Sequence, residues 1–83
     1  MIVFTKHSLD KFDILRNHNF VISKSDVLET LEKSDFIDYS RLPLLIAQRK
    51  IDETHVLRVV YKKENRNIKI ITFYPGRIKK YEN

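Results

Sequence analysis

The 83-residue chain contains no cysteine, only one glycine and only two prolines. The absence of cysteine excludes a disulfide framework, a thiolate zinc site and a cysteine nucleophile. A single glycine leaves no glycine-rich loop that could cradle a phosphate, so the P-loop and dinucleotide-binding fingerprints are excluded too. No apolar run is of membrane length, and no signal peptide or lipidation motif is present. We therefore expect a soluble, cytoplasmic protein that does not bind membranes.

The composition is that of one small globular domain with an excess of positive charge. Hydrophobic residues make up 42% of the chain and charged residues 33%, which separates it from disordered sequences. Its length predicts a single domain over residues 1–83, near the lower limit for a chain that builds its own core. The net charge of +5 favours polyanionic or acidic partners, although the same charge also serves solubility alone.

Two amphipathic helices are predicted in the first half of the chain. Thr5 or Ser8 can cap a helix over residues 7–18, and the asparagines at its end suit a left-handed stop. Ser23, with Asp26 three residues later, forms a capping-box pattern that begins the second helix. Each helix has an apolar stripe that can pack on a sheet. The stripes consist of Leu9, Phe12 and Leu15 in the first helix, and Val27, Leu28 and Leu31 in the second.

Three short runs rich in β-branched and aromatic residues follow, at residues 44–51, 55–62 and 68–74. Turn formers at Asp52-Glu53 and Asn65-Arg66 separate them, which predicts an antiparallel meander. Residues 1–4 are predicted to form an extra edge strand or a lead-in. Residues 34–43 are predicted to be an irregular connection, and Pro75-Gly76 is predicted to form a turn. The predicted fold class is α+β, a two-layer domain with two N-terminal helices on one face of an antiparallel meander of three to four strands.

Two-residue loops at both turns predict a register in which Ile46 lies opposite Val59, Arg58 opposite Phe73, and Lys62 opposite Lys69. The mostly apolar face, expected under the helices, then comprises Leu44, Ile46, Gln48, Leu57, Val59, Tyr61, Ile68, Ile70, Thr72 and Tyr74. The other face comprises Leu45, Ala47, Arg49, Val56, Arg58, Val60, Lys62, Lys69, Ile71 and Phe73. This second face mixes cations with too many apolar side chains to be left uncovered, so the tail, a second copy or a partner should bind there.

Nucleic acid is one partner that this cationic face could bind. The residues expected to contact it are Arg49, Lys62 and Lys69 on the sheet and Lys79 and Lys80 in the tail. The histidines do not predict a metal site, because His7 and His18 are about 16 Å apart along a helix and no cysteine is available to assist. We therefore expect neither a metal nor a cofactor.

Several segments together resemble one family of proteins; they are residues 5–8 (Thr-Lys-His-Ser), 22–27, 55–61, 70–77 and 80–82. They look like a widespread group of small prokaryotic domains of unknown function, similar in layout to the BrnT toxins and more distantly to the RelE-type toxins of toxin–antitoxin pairs. The resemblance implies helices on an antiparallel sheet, mRNA cleavage, and inhibition by a bound antitoxin. Carried onto this sequence, it implies His7, Arg58, Arg77 and Tyr81 as catalytic residues.

An enzyme with these residues would cleave RNA without a metal. A base deprotonates the 2′-hydroxyl, cations stabilise the charged phosphorane, and an acid protonates the leaving 5′-oxygen. We assign Arg77 and the neighbouring Arg58 to the scissile phosphate, His7 to the base, and Tyr81 to base stacking or proton donation. The alternative is a non-catalytic module that binds RNA or a protein partner through the basic face. The sequence decides neither between these functions nor the oligomeric state.

Overall fold

The structure, a computed structural model, describes residues 1–81. The elements are β1 (Ile2–Phe4), α1 (Lys6–Asn17), α2 (Lys24–Glu32), β2 (Phe36–Asp38), β3 (Leu45–Lys50), β4 (His55–Glu64), β5 (Asn67–Arg77) and α3 (Ile78–Tyr81). The strands form one sheet in the order β1-β5-β4-β3-β2. The α+β class is confirmed. The predicted details are wrong in three respects: the sheet has five strands, it is mixed and not wholly antiparallel, and a third, short helix follows it.

The sheet is mixed because its first strand runs parallel to its last. Ile2 lies opposite Ile68 and Phe4 opposite Ile70. The backbone N–H of Ile68 donates to the carbonyl of Met1 at 2.9 Å, and that of Thr5 donates to the carbonyl of Ile70 at 3.1 Å. All other strand pairs are antiparallel. The first apolar run is therefore an edge strand, and residues 34–43, predicted to be irregular, contain the opposite edge strand β2.

Local signals position both long helices as predicted. The Thr5 hydroxyl accepts the Ser8 N–H at 3.1 Å, which caps α1. The Ser23 hydroxyl accepts the Asp26 N–H at 3.1 Å while the Asp26 carboxylate accepts the Ser23 N–H at 2.9 Å, so both halves of the capping box form. Asn19 adopts a φ of 66°, the left-handed stop that asparagine tolerates well.

Both long helices pack on one face of the sheet. Leu15 and Val27 join Leu57, Val59, Ile70 and Phe73 in the main core, and a second cluster contains Leu45, Ala47 and Tyr61. Leu9 and Leu28, predicted to be buried, remain 42% and 37% exposed. Each helix therefore buries a narrower stripe than its sequence predicts. None of the helices formed by residues 1–81 is long and apolar enough to cross a membrane.

The predicted register is wrong by one residue between β3 and β4. Ala47, not Ile46, lies opposite Val59. The reason is a three-residue loop: Ile51 donates its N–H to the carbonyl of His55 at 3.0 Å. The Asp52 carboxylate shapes this loop by accepting the N–H groups of Thr54 and His55, both at 2.8 Å. An odd loop length moves every side chain of β3 to the other face.

The second hairpin keeps its predicted register near the turn and loses it further along. Lys62 lies opposite Lys69 as predicted, but Arg58 lies opposite Tyr74 and not Phe73. The shift falls between Val60 and Tyr61, where β5 contains one extra residue, Ile71. This β-bulge reverses the alternation of side chains in the second half of β5.

Together the loop and the bulge exchange two sets of residues between the faces. Ile46, Gln48, Thr72 and Tyr74, predicted to lie under the helices, are on the other face. Leu45, Ala47, Arg49 and Phe73, predicted on the cationic face, are on the helix side. Leu57, Val59 and Ile70 are under the helices as predicted.

Pro75 and Gly76 lie inside β5, opposite Leu57 and Val56, so the predicted turn is wrong. The parallel strand β1 covers β5 only at residues 68–70, which leaves the later part of β5 as an edge. Successive residues of a strand direct their backbone N–H and C=O groups to alternate sides, and at Pro75 that side is the outer edge. Because no strand of residues 1–81 pairs there, the N–H that proline lacks costs no hydrogen bond of the sheet.

Candidate functional site

The sheet face opposite α1 and α2 carries side chains in rows that cross several strands, because residues paired across strands point to the same side. We call it the helix-free face. Its first row is Phe36, Gln48, Arg58 and Tyr74; its second is Asp38, Ile46, Val60 and Thr72; its third is Lys62 and Lys69. Ile46, Val56 and Val60 are buried but belong to neither of the two core clusters.

Arg58 is at the centre of a hydrogen-bonded network on this face. Its Nε donates to the hydroxyl of Tyr74 at 3.0 Å, one Nη to the amide oxygen of Gln48, and the other Nη to the Asp38 carboxylate at 2.9 Å. Only 5% of Arg58 is exposed. A buried guanidinium is stable only when it is paired and hydrogen-bonded, and these contacts from three different strands meet that need.

Asp38 is ionised in this network. Hydrogen bonds from Ser40, and then from Arg58, lower the pKa of the Asp38 carboxyl to about 2. Its carboxylate therefore neutralises Arg58 over the whole physiological range. Although Arg58 lies on the predicted face, it does so as half of an ion pair and not as a solvated cation.

Lys62 and Lys69 place two positive charges side by side on the helix-free face. They lie directly opposite each other on β4 and β5, and both are half-buried. The Lys62 ammonium is 3.7 Å from the Glu64 carboxylate. Lys69 has no carboxylate within 4 Å among residues 1–81. Like charges that face each other across strands destabilise a sheet unless an anion or solvent neutralises them. An anion that binds between these two ammonium groups would therefore be stabilised by both.

Two aromatic side chains end the first row. Phe36, on the edge strand β2, is 49% exposed, and Tyr74, on β5, is half-buried beside Arg58. Three interstrand spacings separate their strands, which amounts to roughly 14 Å. An exposed ring such as that of Phe36 can stack on a nucleobase or pack against apolar side chains of a protein.

Arg49 does not belong to this face, contrary to the prediction. Its Nε donates to the Thr30 hydroxyl at 3.2 Å, and one Nη donates to the carbonyl of Asp26 at 3.3 Å. The carboxylate of Glu29 lies 3.9 Å away. The one-residue shift of β3 turns Arg49 towards α2, so this arginine attaches the helix to the sheet.

The structure does not bring the predicted catalytic residues together. His7 is exposed on α1, in the layer across the sheet from Arg58. Arg77 lies opposite His55, three residues along β5 from Tyr74 and on the other side of the strand. The side chain of Tyr81 lies outside the described part of the chain. The exposed Lys79 lines a cavity of about 360 Å³ with Arg77, beside the β3–β4 loop.

The imidazole of His55 is engaged in contacts with neighbouring side chains, so it is not available as a catalytic base. Its Nδ1 lies 3.1 Å from the Asp52 carboxylate and 2.8 Å from the Thr54 hydroxyl. Its ring meets that of Phe20 edge-on, with the centroids 5.1 Å apart. A hydrogen bond from the backbone of Thr54 is the first cause of a lowered Asp52 pKa, and the contact with His55 adds to it. This cluster fixes the β3–β4 loop against the α1–α2 connection.

The sequence reasoning missed Phe36, Asp38, Gln48 and Tyr74. One signal was available, because the predicted register placed Gln48, Thr72 and Tyr74 on a face meant to be buried. Three polar groups on a covered face indicate a register error.

Across the part of the chain that the structure describes, no three histidine, aspartate or glutamate side chains converge as a metal site. Comparison with known proteins finds no match among protein-family models, curated proteins or solved structures. The function has to be argued from the geometry of the helix-free face.

Proposed function

We propose that this chain is an RNA-binding protein of the toxin type and that RNA binds on the helix-free face. The observation that carries the proposal is the direct opposition of Lys62 and Lys69 on a face that neither long helix covers. A phosphate between the two ammonium groups relieves their repulsion and gains charge-assisted contacts with both. At Lys62 this contact takes the place of the 3.7 Å contact with Glu64. The net charge of +5 adds long-range attraction to any polyanion.

The aromatic side chains favour RNA over other polyanions. Phe36 offers an exposed ring on the same face as the lysines, and Tyr74 offers a second at the far end of its row. Sheet faces that carry both aromatic rings and cations suit unpaired nucleotides, whose bases can stack while their phosphates are neutralised. Among the remaining predicted contacts, Lys79 and Lys80 are exposed on α3 and add positive potential at the Arg77 end of β5.

Salt dependence tests this proposal directly. A labelled single-stranded RNA is titrated with the protein at several salt concentrations, and fluorescence anisotropy gives the affinity. The variant Lys62→Gln/Lys69→Gln should flatten the slope of log affinity against log salt by about 1.4, at roughly 0.7 per lost contact. The matched control Lys6→Gln/Lys33→Gln removes two exposed cations of the helical layer and should leave the slope unchanged. Absence of salt-dependent binding, or equal effects of both double variants, would refute the proposal.

A second candidate function is metal-independent RNA cleavage by 2′-hydroxyl attack. The observation that favours it is the 3.0 Å contact between Arg58 Nε and the Tyr74 hydroxyl, on the face that also carries Lys62 and Lys69. The phenol can donate a proton to the leaving oxygen, and the lysines can stabilise the phosphorane. The predicted base, His7, lies on the opposite layer, so the face supplies only part of the machinery.

Expression in a growing bacterium separates cleavage from binding. Growth arrest by the wild type, relieved by Tyr74→Phe in a variant that is equally expressed and still folded, would support a toxin whose proton donor is Tyr74. In vitro, cleavage should persist with a chelator and leave a 2′,3′-cyclic phosphate. An antitoxin-type partner would then bind over the helix-free face and block RNA. A folded wild type that neither arrests growth nor cuts RNA would leave the binding function alone.

A further inference from the structure

We infer that Gln48 reads the base of a nucleotide bound on the helix-free face and selects bases that carry a carbonyl oxygen, and not an amino group, at pyrimidine C4 or purine C6. This inference rests on the proposed RNA binding and names the specificity-determining residue of that site. Gln48 lies directly opposite Phe36 on one side and Arg58 on the other. It is therefore the polar group nearest, across the strands, to the exposed ring of Phe36.

The orientation of the Gln48 amide follows from its contact with Arg58. A guanidinium has donors only, so the amide atom that faces Arg58 must be the oxygen Oε1. The amide nitrogen Nε2, with its two N–H donors, is turned away from Arg58. Nε2 has no hydrogen-bond partner among residues 1–81. Thr72 Oγ1 is the buried side-chain atom of this region that lacks a partner; Nε2 also lacks one but is accessible. The face thus presents one oriented, accessible pair of donors.

Phe36 provides the platform that brings a base within reach of these donors. Half of its surface is exposed, and directly opposed residues have Cβ atoms about 5 Å apart. A base stacked on the Phe36 ring would therefore present its edge beside Gln48 Nε2, while the lysine pair two rows away holds the phosphate backbone. Edge reading of a stacked, unpaired base is the usual source of sequence preference in single-stranded RNA recognition.

Donors select acceptors. Both pyrimidines carry an O2 carbonyl, so the comparison concerns the edge at the 4-position. There uracil presents the O4 carbonyl, to which Nε2 can donate, and cytosine presents an N4 amino group, to which it cannot. One neutral hydrogen bond made to uracil and lost with cytosine should favour oligouridine over oligocytidine by about fivefold. The same logic favours guanine, with its O6 carbonyl, over adenine.

The variant Gln48→Glu gives the sharpest test because it replaces the donors by an acceptor and retains the contact with Arg58. Its added negative charge weakens binding of both oligonucleotides, so the readout is the ratio of the two affinities. The ratio should reverse to favour oligocytidine, whose amino group can donate to the carboxylate. Phe36→Ala should abolish the preference, whereas the matched control Tyr39→Ala, which removes an aromatic side chain that is 62% exposed, should preserve it.

The outcomes separate this inference from the function on which it rests. Equal affinity for both oligonucleotides, with salt-dependent binding through Lys62 and Lys69, overturns the base reading and leaves RNA binding intact. A preference for uridine that Gln48→Glu does not change also overturns it. Failure of both oligonucleotides to bind the folded wild type overturns the RNA-binding function and the inference together. Binding of an acidic protein segment to the same face, without RNA, would have the same consequence.

Discussion

The Arg58 guanidinium binds the Asp38 carboxylate at 2.9 Å, and this contact joins the edge strand β2 to β4 across the intervening strand β3. The guanidinium side chain is only 6% exposed and the carboxylate 21%. The edge strand β2 is therefore attached to the sheet by this ion pair as well as by its three residue pairs with β3.

Removing one member of this pair should destabilise the protein strongly. Asp38→Ala leaves Arg58 buried without its carboxylate, which we expect to cost about 3 kcal/mol, the lower end of the range for broken buried pairs. Urea unfolding measures the loss. Asp13→Ala is the control, because Asp13 pairs with Arg16 on the surface with both side chains largely exposed, and it should have little effect. Equal losses in both variants would contradict the role given to Asp38.

The same carboxylate should make stability depend on pH in the acid range. The pKa of Asp38 is about 2 in the folded protein against an ordinary 3.8, so the unfolded chain binds its proton more readily. The stabilisation is therefore complete above about pH 5 and is lost as the pH falls through 3.8 towards 2. The difference in unfolding free energy between wild type and Asp38→Asn should be constant from pH 5 to 7 and shrink by pH 2.5. A difference that grows on acidification would contradict the assignment.

Arg49 and Lys69 should respond in opposite ways to loss of charge. Arg49→Met removes the hydrogen bonds to Thr30 and to the carbonyl of Asp26, and we expect it to lower the unfolding free energy by about 1–2 kcal/mol. It should not change the salt dependence of RNA binding, because Arg49 lies under α2. Lys69→Met should flatten that dependence and keep or raise stability by relieving its repulsion with Lys62. A flatter slope in Arg49→Met would place Arg49 in the RNA site after all.

Val59 should not tolerate a charge. It is fully buried between the sheet and the helices, and Val59→Asp would place an unpaired carboxylate there. We expect the variant to be unfolded by circular dichroism at room temperature. Val21→Asp is the control, since Val21 is 78% exposed; that variant should fold normally. A folded Val59→Asp protein would mean that the helices do not cover this face.

The sequence was most informative where a structure depends on neighbouring residues. The caps at Thr5 and Ser23 and the stop at Asn19 need only two to four consecutive residues, and all three form as predicted. The helix-covered positions Leu57 and Val59 also follow from simple alternation within one strand.

The register could not be predicted because it depends on two features with weak local signals. Asp52 organises a three-residue loop through its side chain, and nothing near Ile71 marks it as the extra residue of a bulge. Arg58 illustrates the consequence for the site: its ion-pair partner Asp38 comes from twenty residues earlier, in a segment predicted to be irregular. The sequence prediction therefore counted Arg58 as a solvent-accessible cation, although Asp38 neutralises it.

Pro75 has a consequence for the behaviour of the protein at high concentration. Within residues 1–81, no strand pairs with the outer side of β5 beyond residue 70, and an open edge of this kind can pair with a strand of another molecule. Proline has no N–H to offer an incoming strand, so it interrupts the row of donors in the middle of the open edge. Replacing Pro75 by threonine would complete that row. The same fold would then carry a template for edge-to-edge polymerisation and aggregation.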